Sequence, residues 1–293
     1  MAAASTGGDE DDSRCLLLAL SHDELGVIFD GLADPLRPAV AVALSSTCKG
    51  LRTPLHSALF MLLQRHVRAA ALCRRMAMSC AALREAEVLE WAYIGLTADD
   101  AATLSMILRI SGLPKLLKLN LENNNLGDAG MMVLCEGLSP GTAPSLLNLG
   151  LSNNQFGPVG AEALAAALRR GAVPKLKSLG FGSIPIGSQG VAALAVPLRK
   201  LSALEYLYLG KCEIGDEGVA SLFANLGKDD FKALSLLFLD GNAITDAGCA
   251  TLARIRDAPN TNALPVLEAL FLLQNPASAA ARQAAKDALG CPR

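Results

Sequence analysis

The sequence predicts an α/β solenoid, with short parallel strands inside and helices outside, preceded by a small all-α module. Three observations carry that prediction. An apolar pattern recurs with starts at residues 86, 116, 146, 176, 204, 234 and 267, spaced by 30, 30, 30, 28, 30 and 33 residues. Each full unit approximates L-x-x-L-x-L-x-x-N/C-x-L, as in Leu116, Leu119, Leu121, Asn124 and Leu126. Apolar residues make up 52% of the chain and aromatics only 4%, which suits Leu, Ala and Val stacked repeat upon repeat rather than one ring-centred core.

Taken in order, residues 1–14 are rich in Ala, Ser, Gly and acids and predict a disordered tail. Residues 15–80 form the helical module. Ser21 and Glu24 have the spacing of a capping box, and Leu25, Ile28, Phe29 and Leu32 follow on one apolar helical face. Asp34-Pro35 ends that helix. A second segment carries Val40, Leu44, Cys48 and Leu51. Thr53-Pro54 predicts the cap and first position of a third helix, running through Leu55, Leu59, Leu62 and Val67. Between residues 53 and 84, Arg65, Arg68, Arg74, Arg75 and Arg84 occur without an acid; lacking interleaved aromatics, they predict a solvated face, not a nucleic-acid site.

Residues 81–293 hold about seven repeats. The first is degenerate (Ala86, Leu89, Trp91, Ile94, Leu96) and the last truncated (Leu267, Leu270, Leu272, Asn275). A full unit gives a strand such as Lys118 to Leu121, a turn near Asn124 and a helix over roughly Asp128 to Leu138. The Asn position predicts hydrogen bonds to backbone where the chain leaves the strand, with Cys212 filling it in one copy. Gly130, Gly160, Gly190, Gly218 and Gly248 predict close helix–strand packing.

Two resemblances follow from these residues. The repeats resemble leucine-rich repeats, and the helix-bearing units with Leu126-Gly127-Asp128-Ala129-Gly130 resemble the ribonuclease-inhibitor type, which implies a horseshoe with a concave sheet. The stretch Leu20-Ser21-His22-Asp23-Glu24-Leu25, then Ile28-Phe29 and Leu32, closing with Leu44-Ser45-Ser46-Thr47-Cys48-Lys49, resembles an F-box. Ser21 stands where that family has proline, and Gly50-Leu51 where it often has an aromatic. Resemblance to F-box leucine-rich-repeat proteins implies a substrate-recognition subunit of a cullin-RING ubiquitin ligase. Leu25, Ile28, Phe29 and Leu32 would dock a Skp-type adaptor, and the horseshoe would present a protein substrate. The alternatives are a plain scaffold whose N-terminal helices only cap the solenoid, or a small-GTPase regulator.

Side chains alternate along a strand, so residues between the buried leucines face the concave surface. The central column reads Glu90, Asn120, Gly150, Gly180, Tyr208, Phe238, Phe271. Polar residues fill the first repeats and glycines the middle ones. Tyr206, Tyr208, Leu236, Phe238, Phe271 and Leu273 gather in the last three, a predicted protein-binding patch.

The sequence predicts no enzyme, no cofactor and no metal. Gly137-Leu138-Ser139-Pro140-Gly141 has the letters of a nucleophile elbow, but its Ser ends a helix and Pro140 has no N–H to offer an oxyanion. His22, His56 and His66 lack metal-ligand spacing with any Cys. A net charge of -2 gives no pull toward nucleic acid or anionic membrane. The eight scattered cysteines, and a start without the apolar run of a secretory leader, predict an intracellular protein, cytoplasmic or nuclear.

Overall fold

The computed structural model describes residues 17, 20–46, 49–227, 230–255 and 264–291. The predicted tail and the Thr47-Cys48 end of the F-box-like stretch lie outside the described residues. The chain divides into two compact units, Met1–Arg84 and Glu85–Arg293.

In the first unit, α1 (His22–Leu32), α2 (Ala39–Ser46) and α3 (Lys49–Arg75) pack together, followed by the short α4 (Cys80–Glu85). The capping box forms. Ser21 Oγ accepts from the Glu24 N–H at 3.2 Å, and the Glu24 carboxylate accepts from the Ser21 N–H at 2.8 Å. The Ser21 N–H, joined by the Ser21 hydroxyl donating to the same carboxylate at 2.8 Å, holds the Glu24 carboxyl below its ordinary pKa. Leu25, Phe29, Ala41, Leu51, Leu55 and Leu62 make the unit's core.

Three details differ from the pattern in the sequence. First, α3 starts at Lys49 rather than at Pro54. Leu51 and Leu55 are both buried one turn apart, and only a helix begun upstream of Leu51 puts them on the same face. Second, α2 turns Ala41 and Ser45 inward and leaves Val40 exposed. Third, Val67 on α3 is exposed, while Ala69, Leu72 and Cys73 are buried.

The second unit is one seven-stranded parallel sheet in chain order. Its strands are β1 (Val88–Glu90), β2 (Lys118–Asn120), β3 (Asn148–Gly150), β4 (Ser178–Gly180), β5 (Tyr206–Tyr208), β6 (Leu236–Phe238) and β7 (Ala269–Phe271). Between and after them run α5 (Ala98–Ile110), α6 (Gly127–Gly137), α7 (Pro158–Arg169), α8 (Gly187–Arg199), α9 (Asp216–Phe223), α10 (Asp246–Ala253) and α11 (Ala279–Ala288), each packed on the next. This is the predicted α/β solenoid.

Two ladders of side-chain bonds join successive repeats. In the first, Asn242 Nδ2 donates to the carbonyls of Leu209 at 2.7 Å and Leu239 at 2.9 Å. Its Oδ1 accepts from Cys212 N at 2.8 Å and Ile214 N at 3.1 Å. Asn124 does the same four repeats earlier, and Cys212 donates Sγ–H to Phe181 O at 3.1 Å. In the second ladder, a residue in one helix's first turn caps the next helix. Asp128 Oδ1 accepts from Gly157 N and Gly160 N, both at 2.8 Å, and Asp216 and Asp246 bind Thr245 N and Ser278 N. The glycine series serves this same helix layer and not helix–strand contact. A Cβ on Gly218 would lie 2.7 Å from Ile214 Cγ2 and 3.1 Å from Ser188 Cα, the latter in the preceding helix.

Candidate binding surface

Parallel register assembles the face opposite the helices. Glu90, Asn120, Gly150, Gly180, Tyr208, Phe238 and Phe271 align as one column across all seven strands, as the alternation predicts. Leu89, Leu119, Leu149, Leu179, Leu207, Leu237 and Leu270, between the face-lining positions, are buried beneath it. A strand spacing of about 4.8 Å brings rings on adjacent strands into stacking distance. Tyr208 and Phe238 stack with centroids 4.5 Å apart, and Phe238 and Phe271 at 4.3 Å with planes 1° from parallel. Burial is the main reason the Tyr208 phenol is held above its ordinary pKa, with Tyr206 and Glu122 adding to it. Tyr206 and Leu236 are half-buried beside the stack, Phe271 is half-buried at its end, and Leu273 is 61% exposed at its edge. α11 packs against α10 and leaves these rings accessible.

Beside the stack the face drops. Gly150 and Gly180 present no side chains, and the Glu122 side chain reaches over both. A Cβ on either glycine would meet Glu122 Oε1 at 3.0 Å. Two recesses result, of about 320 and 370 Å³. Glu122 and Tyr208 line both; Lys118 and Asn148 border the first, Phe238 and Asp240 the second. Lys118 Nζ is occupied by Glu90 at 2.5 Å, which with Asn120 holds the Glu90 carboxyl below its ordinary pKa. Glu122 was not singled out by sequence reasoning. The glycines one and two repeats on were the signal, since they give its side chain room to lie flat.

The four N-terminal docking residues do not share one environment. Leu25 and Phe29 are buried in the unit's own core, Leu32 packs on that core, and only Ile28 is exposed, at 38%. Core formation claims the i, i+4 pair first. Among the described residues, the large apolar side chains this unit exposes are instead Val27, Ile28, Val40 and Val42, with Phe60, Met61, Leu63 and Val67 on α3. Of the arginines, Arg84 pairs with Asp34, while Arg68, Arg74 and Arg75 are exposed. His66 lies 2.7 Å from the Pro35 carbonyl. Among the described residues no cluster of His, Cys, Asp or Glu could hold a metal, and no helix is long and apolar enough to cross a membrane.

Comparison with known families bears on three of the repeats. A leucine-rich-repeat model matches residues 112–135, 142–165 and 200–223. Those three stretches match as leucine-rich repeats. The match is to the repeats alone, with no F-box or ribonuclease-inhibitor-type model beside it. No curated protein matches the chain. The first two matched stretches hold β2 and β3, the glycine floor's near edge. The third holds β5 with Tyr208, so the leucine-rich-repeat pattern itself presents both sides of the recessed face.

Proposed function

We propose that this chain is a protein-binding scaffold whose strand-lined face grips a segment of a partner across the Tyr208–Phe238–Phe271 stack and the adjoining glycine floor. Leucine-rich repeats serve as protein-interaction modules, typically without catalysis. The single observation carrying the reading is the ring stack left accessible beside a floor without side chains. Flat rings offer large contact area at little entropic cost, and the glycines leave beside them a recess that a partner side chain can enter. The patch is Tyr206, Tyr208, Leu236, Phe238, Phe271 and Leu273. Tyr208→Ala and Phe238→Ala should each weaken partner binding by about 2 kcal/mol or more. Unchanged affinity in both, with the circular dichroism spectrum preserved, would exclude this face.

A second reading concerns the N-terminal unit, and its exposed apolar residues favour it. Single exposed apolar residues need no explanation, but this unit exposes eight large ones among its described residues. Docking to a Skp-type adaptor, as the F-box-like stretch implies, would cover such a surface and make the chain a substrate-recognition subunit of a ubiquitin ligase. Calorimetry of the purified chain against a Skp-family adaptor, beside Ile28→Asp, tests it. Binding by the wild type alone supports docking; no binding by the folded chain leaves the scaffold without that role.

A further inference from the structure

The ring stack ends at Tyr208, where the glycines of the column begin. Tyr208, Phe238 and Phe271 occupy the central column in three successive strands, and the next positions, Gly180 and Gly150, have no side chain. One face of Tyr208 is covered by Phe238; the other borders the recess over Gly180. Into that recess reaches the Glu122 carboxylate, its Oε1 3.0 Å and Ser152 Oγ 3.2 Å from where a Gly180 Cβ would stand. No described cation pairs with Glu122: Lys118 is bound to Glu90, and Lys177 is bound to Glu205 at 2.7 Å. A second acid, Asp240, borders the neighbouring recess, with one carboxylate oxygen accepting from Leu273 N at 2.6 Å.

A space one rung wide, walled by a ring face and a carboxylate, suits a flat cation. We propose that the slot over Gly180 receives an arginine side chain of the partner, its guanidinium stacked on the free face of Tyr208 and paired with the Glu122 carboxylate. This rests on the strand-lined face being the binding surface. Each wall selects a different property. The ring attracts a cation within about 6 Å of its centroid, and a planar one can continue the stack. The carboxylate takes two parallel N–H donors from a guanidinium, a geometry that a lysine ammonium cannot offer. A neutral aromatic would fill the rung but strand Glu122 against it, out of water and without a partner. Glycine at 180 is therefore a specificity feature: any side chain there would meet Glu122 and close the slot.

The chain has three tyrosines, Tyr93, Tyr206 and Tyr208, so ring resonances of a tyrosine-labelled sample are readily assigned, with exposed Tyr93 as internal control. The probe is Nα-acetyl-arginine amide, titrated beside the lysine amide and the citrulline amide, which is planar but uncharged. Saturable shifts of the Tyr208 ring are expected with the arginine probe, about tenfold weaker with the other two, and lost in Glu122→Gln. Equal response to citrulline, or an undiminished arginine response in Glu122→Gln, overturns the slot. So does an arginine probe that shifts no Tyr208 resonance. A protein partner whose affinity falls in Phe238→Ala but ignores Glu122→Gln would overturn the slot alone and leave the binding face standing. Indifference to both substitutions would overturn the two together.

Discussion

Replacing Asn242 by Ala should destabilise the protein far more than the same change at Asn154, although both sit at equivalent positions of their repeats and both are buried. Removing the Asn242 amide leaves Cys212 N, Ile214 N and Leu209 O without the partners they have now, while Leu239 O keeps its bond from Asn275 Nδ2 at 2.8 Å. Three buried backbone groups at about 1–3 kcal/mol each set a cost of about 3–6 kcal/mol after partial relaxation. At Asn154, Oδ1 is buried and has no partner. The cause is local: Gly127, at φ 60°, points its N–H at the Asn154 carbonyl at 3.0 Å, and the preceding turn no longer aims its donors at the side chain. Of the two closest carbonyls that Asn154 Nδ2 serves, Leu121 O keeps Asn124, so only Leu151 O is orphaned. That predicts about 1–2 kcal/mol. The cavities left are alike, so the difference isolates the hydrogen bonds. Urea unfolding followed by circular dichroism measures it. An Asn154→Ala midpoint at or below that of Asn242→Ala would refute the accounting.

Gly137→Ala should destabilise by about 1–2 kcal/mol net, because a Cβ there lies 2.6 Å from Ser105 Cα in α5 and the overlap outweighs the roughly 1 kcal/mol gain in helix propensity; a raised melting temperature would contradict it. Alkaline pH should weaken the fold. Burial pushes the Cys135 and Cys212 thiols from 9.0 up to about 12, so the folded state holds protons that the unfolded chain releases. Their contribution is complete below pH 9 and is lost as pH rises from about 9 to 12, at about 1 kcal/mol per thiol per pH unit, with Tyr208 adding in the same sense above about 10. Urea midpoints at pH 8 and 10.5 that coincide would refute this.

The periodicity gave away the sheet because each strand needs one buried leucine between two surface residues, and that alternation survives in every copy. The rings at Tyr208, Phe238 and Phe271 were legible for the same reason: register fixes which residues meet. Glu122 was not, since nothing in its own repeat distinguishes it; its reach depends on glycines at 150 and 180, a relation between repeats and not a motif. The N-terminal helices were legible only as helices. Their apolar residues exceed what one face can bury, so the sequence could not rank Leu25 and Phe29, which went to the core, against Val27 and Ile28, which stayed outside. Asp128 shows the same limit. It reads as an ordinary acid in a helix's first turn, yet its carboxylate caps the following helix.

Both ladders break at the same joint. Ile184 replaces the Asn of the fourth repeat, so nothing there answers the Leu151 carbonyl as Asn124 answers Trp91. Pro158 replaces the capping Asp of the third, and α8 starts with no side-chain cap. Apolar packing compensates: Ile184 and Ile186 are fully buried, and Phe156 meets Phe181 edge-on with centroids 5.2 Å apart. The neighbouring joints add side-chain stitches to the backbone ladder; here the ladder is supplemented by apolar contact alone. Phe181→Ala should therefore cost about 3–5 kcal/mol and, in hydrogen exchange, release the amides of β3 and β4 before those of β6 and β7. Repeats couple only to their neighbours, so a cut at one joint need not loosen the rest. Protection lost evenly along the sheet would show that the joint is stitched by something other than those rings. Loss confined to it would place the least polar joint of the solenoid directly beneath the Gly150–Gly180 floor, where the sheet has also given up its surface side chains.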